Sequence, residues 1–283
     1  MNTENDKKYI WVASYPKSGN TWLRGFLCSY YFTMDGSFSF NLMKQIPTFE
    51  SDIFKPYISK EEAAKKPELI AKHWLEVQKK SKLVNGNFIF LKTHNFCGKI
   101  NNYSFTSSNY TYGYIYIVRD PREVVISYSH HSNQDIDKCI EIVTSENPTY
   151  MIDEGVNYPV YTYNWGVNYS SWKNFKSVPG FIVRYEDLIE EPYNNFNKIV
   201  MFLHNLGLPK IDKKKLKESI KNTSFDNLQK LEKEKGFNEQ IIKNKKNFFN
   251  KGITDSWKNK LNNNQIKIIE NKFKKEMTEL SYL

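Results

Sequence analysis

Three short segments of this 283-residue chain carry side chains suited to holding and moving an anion. The first, Tyr15-Pro16-Lys17-Ser18-Gly19-Asn20-Thr21, follows a compact apolar run and precedes a helical pattern. In an α/β protein a phosphate cradle forms at that place, because unpaired N–H groups and the helix dipole face outward between the carboxyl end of a strand and the amino end of a helix. It is not a Walker A loop: GxxxxGK[ST] would demand Lys where Asn20 stands, and no glycine opens the loop. The cation has moved upstream to Lys17, which still reaches an anion's bridging oxygen, and Gly19 lets the backbone come close without a Cβ in the way. The second segment, Arg119-Asp120-Pro121-Arg122 with Ser127 in the helix that follows, offers a guanidinium fork and a hydroxyl that can face one phosphate. Between them, Lys92-Thr93-His94 ends another apolar run. An isolated histidine at a strand end is more often structural; this one lies between two anion segments, where an imidazole is able to accept a proton and Lys17 and Lys92 offer positive charge.

The elements that must carry these residues are legible as apolar runs. Tyr9 to Ser14 is short, β-branched and aromatic, and it stops at Tyr15-Pro16, as a buried strand does. Residues 88–93, 114–118 and 181–184 read the same way, and the intervals between them are long enough for helices. Such alternation predicts an α/β fold with a doubly wound, mostly parallel sheet flanked by helices. Helices are expected from Thr21, over 121–132, over 160–176 and over 193–206, the last stopping at Gly207 and Pro209. From Lys210 the tail is rich in Lys, Glu and Asn with spaced apolar residues, which predicts amphipathic surface helices interrupted near 248–257. No internal repeat or linker divides the chain, so a single domain over 1–283 is expected.

The formal net charge of +10 suits an anionic partner, and an aromatic share of 16% makes ring-lined pockets plausible. Cys28, Cys97 and Cys139 show neither metal-ligand spacing nor a disulfide framework, which points to a reducing compartment. His130 and His131 point to different helix faces and have no acidic or Cys partner at suitable spacing, so surface or acceptor-side roles are expected of them and no metal site. His73 and His204 lie in amphipathic segments. No stretch approaches the roughly 18 to 20 apolar residues of a membrane span, and the N-terminus does not read as a signal peptide. A cytoplasmic protein is expected.

YPKSGNTWL resembles YPKSGTTWL, the 5'-phosphosulfate loop of the sulfotransferases that use 3'-phosphoadenosine 5'-phosphosulfate (PAPS). The resemblance is to the cytosolic type, bacterial-like, and implies a P-loop-like fold. It implies that Lys17, Ser18, Gly19, Asn20 and Thr21 hold the 5' side of the nucleotide and that Trp22 packs beside the adenine, with Asn20 standing in for a Thr. RDPREVVISY is similar to the family's 3'-phosphate motif, which assigns that phosphate to Arg119 and Ser127. KTH matches the catalytic segment, with His94 as general base and Lys92 and Lys17 as its cations, although Asn95-Phe96 replaces the usual Leu-Pro. Tyr185 in RYEDL would approach the adenine. NKGITDSWK resembles the RKGxxGDWK loop, which implies phosphate roles for Lys251, Gly252 and Asn250, with Asp255 in place of the second Gly.

The activity implied is in-line transfer of a sulfuryl group from PAPS to a hydroxyl or amine, leaving 3',5'-ADP and requiring no metal. The acceptor is unidentified, whether small molecule, glycan or lipid; a homodimer is allowed, and a nucleic-acid partner is not expected because Glu interleaves the tail lysines. Residues 101–116 and 133–165, rich in Tyr, Asn and Ser, are expected as loops over the acceptor pocket. The alternative is a P-loop nucleotide-dependent kinase, which would share the architecture but lacks the Walker lysine and an acidic strand end for Mg²⁺.

Overall fold

A computed structural model describes residues 9–80, 88–147, 150–151, 158–237, 248–249, 252 and 254–283. Its strands are β1 (Tyr9–Ser14), β2 (Ile89–Thr93), β3 (Lys99–Ile100), β4 (Tyr103–Ser104), β5 (Thr111–Val118), β6 (Tyr150–Met151), β7 (Val160–Tyr161) and β8 (Gly180–Arg184). Four of them form a parallel sheet in the order β2-β1-β5-β8, and the other four pair as two small antiparallel ribbons. The register pairs Ala13 with Thr93, Ser14 with Ile117 and Val118 with Arg184. The four strands therefore end level, and Tyr15, His94, Arg119 and Tyr185 leave the sheet along one edge.

Alternation along β1 explains the two layers, since successive side chains point to opposite faces. Tyr9, Trp11 and Ala13 enter one core and Ile10 and Val12 the other. The second core is closed by α1 (Asn20–Phe32), α8 (Pro192–Asn205), α9 (Lys213–Asn222) and α10 (Phe225–Lys235), which supply Phe26, Phe196, Leu216 and Leu228. The first is closed by α2 (Lys60–Lys65), α3 (Trp74–Lys80), α4 (Pro121–Ser132), α5 (Ile136–Thr144), α6 (Trp165–Lys173), α11 (Asn263–Lys272) and α12 (Lys274–Glu279). The remaining helix, α7 (Tyr185–Glu190), follows β8 directly. Helices on both faces of a parallel sheet make the fold doubly wound, as the alternating runs predict. Among the described residues no helix is long and apolar enough to cross a membrane.

Two expectations need correction. Residues 160–176 are not one helix: Val160 and Tyr161 pair with β6, and α6 begins only after Tyr163 takes a left-handed φ of 53° and Asn164 caps the helix by accepting from the Val167 N–H at 2.8 Å. A β-branched and aromatic pair followed by a cap is a strand end and a helix start, not a helix interior. The expected loops at 101–116 and 133–165 also hold regular structure, since residues 111–116 belong to β5 and residues 136–144 form α5. By contrast α8 stops as expected, with Gly207 at φ 100° and the Leu208 N–H bonded back to the Leu203 carbonyl.

Trp11 is the hub of the first core. Its ring meets Tyr9, Phe49 and Phe105 at centroid distances of 5.4, 5.1 and 5.0 Å, and its Nε1 donates to Thr111 Oγ1 at 3.1 Å. Replacement by Ala should cost about 3–5 kcal/mol of stability, because a cavity and an orphaned threonine hydroxyl remain. Chemical denaturation checks this, and a loss below about 1 kcal/mol would mean the core collapses around the gap.

Candidate active site

The turn after β1 is tightly specified. Lys17 has φ 66° and Gly19 φ 95°. A non-glycine residue in the left-handed region costs about 1–2 kcal/mol, so the turn holds Lys17 against its own preference. Gly19 has no substitute: a Cβ there would lie 2.5 Å from Cδ2 of Tyr185. The first intrahelical bond of α1 runs from the Leu23 N–H to the Gly19 carbonyl at 3.1 Å, so the N–H groups of Asn20, Thr21 and Trp22 precede the helical ladder. Ser18 is fully buried and its Oγ finds no hydrogen-bond partner among the described residues. Asn20 turns inward, its Nδ2 donating to the Val12 carbonyl at 3.0 Å and to Ser14 Oγ at 3.2 Å.

His94 stands one residue beyond β2 and leans on the neighbouring strand end. Its Nδ1 lies 2.9 Å from the Ser14 carbonyl and 3.1 Å from Ser14 Oγ. A carbonyl only accepts, so Nδ1 carries the hydrogen and Nε2 keeps the lone pair. Burial holds the imidazole well below its ordinary pKa; Lys92 pushes the same way, the Ser14 carbonyl opposes, and Lys17 and Arg24 add to the lowering. His94 is therefore a neutral acceptor at Nε2. The backbone of Lys92 is pinned from outside the sheet by the Pro47 carbonyl and the Phe49 N–H, each at 2.9 Å.

Arg119 crosses to the first turn. One of its terminal nitrogens donates to the Lys17 carbonyl at 3.4 Å, the other to Glu123 Oε2 at 3.2 Å, and the guanidinium lies 4.4 Å over the Tyr185 ring. Tyr185 is thereby held between Arg119, Gly19 and Trp22, whose ring meets it at 5.6 Å. Trp22 is itself fixed by a 2.8 Å bond from Nε1 to the Thr223 carbonyl. Ser127 follows on α4, partly buried, on the helical face that Glu123 begins. The two anion segments and the histidine, distant in sequence, thus share one sheet edge.

The tail returns to this edge. Lys17 Nζ sits 4.8 Å over the ring of Phe248. Glu123 accepts from Ser256 Oγ and from the Trp257 N–H, each at 3.0 Å, and Arg122 stacks on Trp257 at 3.8 Å. Gly252 has φ 56° against the Phe225 ring, and Asp255, where the resembling loop has glycine, is also left-handed at φ 66°. Asn250 and Lys251 lie outside the described residues.

Sequence reasoning left His131 between a surface and an acceptor-side role, and the geometry brings it to this edge. His131 faces Phe248 at a ring separation of 6.0 Å, and burial, with Lys17 as the next cause, pushes its pKa down to about 3. The signal was its spacing: His131 lies four residues beyond Ser127, on the same helical face.

Two imidazoles held neutral make a pH prediction. The unfolded chain takes up protons at these rings as the pH falls through about 6.5, whereas the native rings refuse them. Their contribution to stability is therefore full above that pH and lost below it. Scanning calorimetry should show Tm falling more steeply between pH 7.5 and 5.5 in the wild type than in His94→Gln; equal slopes would mean that His94 protonates freely in the native protein.

The sequence from residue 7 to residue 281 matches the family described as the sulfotransferase domain. It is similar to sulfotransferase 2A1 of Macaca fascicularis, 24% identical over 275 residues that cover 95% of this chain and 84% of that protein. It is also similar to flavonol 3-sulfotransferase of Flaveria bidentis, 25% identical over 271 residues, 92% of this chain and 79% of that one. Among solved structures, that of retinol dehydratase in complex with androsterone and the inactive cofactor PAP shares the fold, with a TM-score of 0.60 at 16% identity, covering 95% of this chain and 80% of the other. A parallel sheet whose level strand ends gather a phosphate-type turn, a histidine and an arginine is thus matched along almost its whole length, and the chain belongs to the sulfotransferase family.

Proposed function

We propose that this enzyme transfers the sulfuryl group of PAPS to the hydroxyl or amine of an acceptor by in-line displacement, with His94 as the general base. The observation that carries the reading is the meeting, at one sheet edge, of the Lys17 turn, the Arg119 guanidinium and a His94 whose Nε2 bears the lone pair. The residues fit the group they would hold. Ser18 brings a buried hydroxyl lacking a partner among the described residues, Gly19 a backbone position that only glycine fills, and α1 its leading N–H groups. Lys17, Ser18, Gly19, Asn20 and Thr21 hold the 5' side, Asn20 through its backbone since its side-chain nitrogen is turned inward to the Val12 carbonyl and Ser14 Oγ. Trp22 and Tyr185 form the adenine wall, and Arg119 and Ser127 take the 3'-phosphate, joined by Gly252 with Asn250 and Lys251.

When bound, PAPS supplies the sulfuryl group and leaves as 3',5'-ADP. The protein's own work is electrostatic and positional. Nε2 of His94 accepts the acceptor's proton as its oxygen or nitrogen bonds to sulfur; Lys17 and Lys92 offset the charge that collects on the leaving phosphate oxygen and the transferring group. The kinase alternative is not favoured by the family match.

His94→Ala should leave the affinity for 3',5'-ADP within about twofold and lower turnover by roughly 10²- to 10⁴-fold, because it removes the base and no phosphate contact. Lys17→Ala should weaken both, and Arg119→Ala should abolish the preference for 3',5'-ADP over 5'-AMP. Titration calorimetry with the two nucleotides, together with release of 3',5'-ADP in the presence of an acceptor, measures all three. A His94→Ala protein with undiminished acceptor-dependent turnover would remove histidine from the mechanism, and equal affinity of the wild type for 5'-AMP would remove the 3'-phosphate site.

A further inference from the structure

Behind the catalytic turn lies a buried acid that the proposed reaction does not use. Glu50 is 1% exposed and accepts from three side chains: Thr48 Oγ1 at 2.9 Å, Thr93 Oγ1 at 2.6 Å and Asn95 Nδ2. Thr93 and Asn95 are the residues on either side of His94, and both are fully buried. Asn95 carries the link onward. Its Oδ1 accepts from the Tyr161 N–H at 2.7 Å, its carbonyl accepts from Trp172 Nε1 at 2.9 Å, and its own N–H donates to Thr93 Oγ1 at 3.0 Å. The His94 carbonyl accepts from Asn168 Nδ2 at 3.0 Å. On the other flank, residues 47–49, which lead into Glu50, bracket the backbone of Lys92 by two 2.9 Å bonds.

We propose that Glu50, acting through Asn95 and Thr93, is a positioning residue that sets the direction of the His94 ring and the reach of Lys92. This rests on the assignment of His94 as the base and goes beyond it by naming what aims that base. The chemistry explains the residue type. All three side-chain groups facing Glu50 can donate, so the site calls for an acceptor-only group, which a carboxylate is and an amide is not. Burial raises the Glu50 pKa, and the hydroxyls of Thr93 and Thr48 and the charge of Lys92 oppose the rise. Asn95 explains its own departure from the resembling motif, whose turn has Leu there. A leucine could fill the space between Glu50 and the β6–β7 ribbon but could not bond to both, so in this chain the turn is tied by hydrogen bonds where an apolar contact would otherwise serve.

Glu50→Gln turns one acceptor oxygen into a donor facing donors, at nearly constant volume. It should lower kcat on the order of 10- to 100-fold while KM for PAPS and the affinity for 3',5'-ADP stay within about twofold, since no nucleotide contact changes. The ring itself can be observed without turnover. In protein labelled with ¹⁵N-histidine, the wild type should show a single His94 tautomer with hydrogen on Nδ1, and Glu50→Gln should show a mixture. Asn95→Leu cuts the same link from the other side, should shift the tautomer and kcat in the same direction, and serves if the Glu50 variant does not fold. A folded variant with unchanged kcat and an unchanged tautomer overturns the proposal, as does a fall in nucleotide affinity that matches the fall in kcat. If no acceptor is turned over by the wild type, the assignment of the reaction fails, while the tautomer measurement still decides whether Glu50 aims His94.

Discussion

The hydrogen bond between His94 Nδ1 and the Ser14 carbonyl is the joint on which the site turns. It spans two adjacent parallel strands, so it exists only because β1 and β2 run in register and end together. It fixes the tautomer, leaves Nε2 as the ring's acceptor, and ties the histidine to the strand whose next residues form the Lys17 turn. Arg119 does the same from the other side by reaching the Lys17 carbonyl. A parallel sheet with level ends is thus the device that turns three segments distant in sequence into one cluster.

Much of this was legible in the residues. Apolar runs stopping at Tyr15-Pro16, at Lys92-Thr93 and at Arg119 mark strand ends because a buried strand must change composition where it meets solvent, and those ends are where the candidate side chains stand. Those ends, together with the motifs that resemble the family's, outline the candidate site. What could not be read was the inward fate of polar side chains. Asn20 looks like a ligand residue in sequence and turns its amide nitrogen inward to the Val12 carbonyl and Ser14 Oγ. Glu50 looks like any acid in a loop, and only the fold shows it buried beneath Thr93 and Asn95. Composition misled in residues 133–165, where Asn and Ser suggested irregular chain although the Ile140 and Val143 face of α5 is buried in the core.

The C-terminal segment is bound to the site by charge and aromatic rings together. Glu123 receives Ser256 and Trp257, Arg122 stacks on Trp257, and Phe248 lies under the Lys17 ammonium. Arg122 is also paired with Asp120 and Glu270 and donates to the Tyr282 carbonyl, so the last residues of the chain are joined to the helix that follows Arg119. The part of the sequence with the weakest motif match is in this way structurally continuous with the strongest.

Glu123 also bears on the energetics of the nucleotide. In the proposed reaction it and a 3'-phosphate share the Arg119 guanidinium, and Glu123 accepts from Ser256 Oγ and the Trp257 N–H at the same time. The phosphate then docks beside a carboxylate already paired with Arg119 and takes other donors of the same guanidinium, with much of its dehydration already met during folding. A guanidinium already neutralised by Glu123 gathers few small ions, so the affinity for the doubly phosphorylated nucleotide should respond to ionic strength less than a net charge of +10 would suggest.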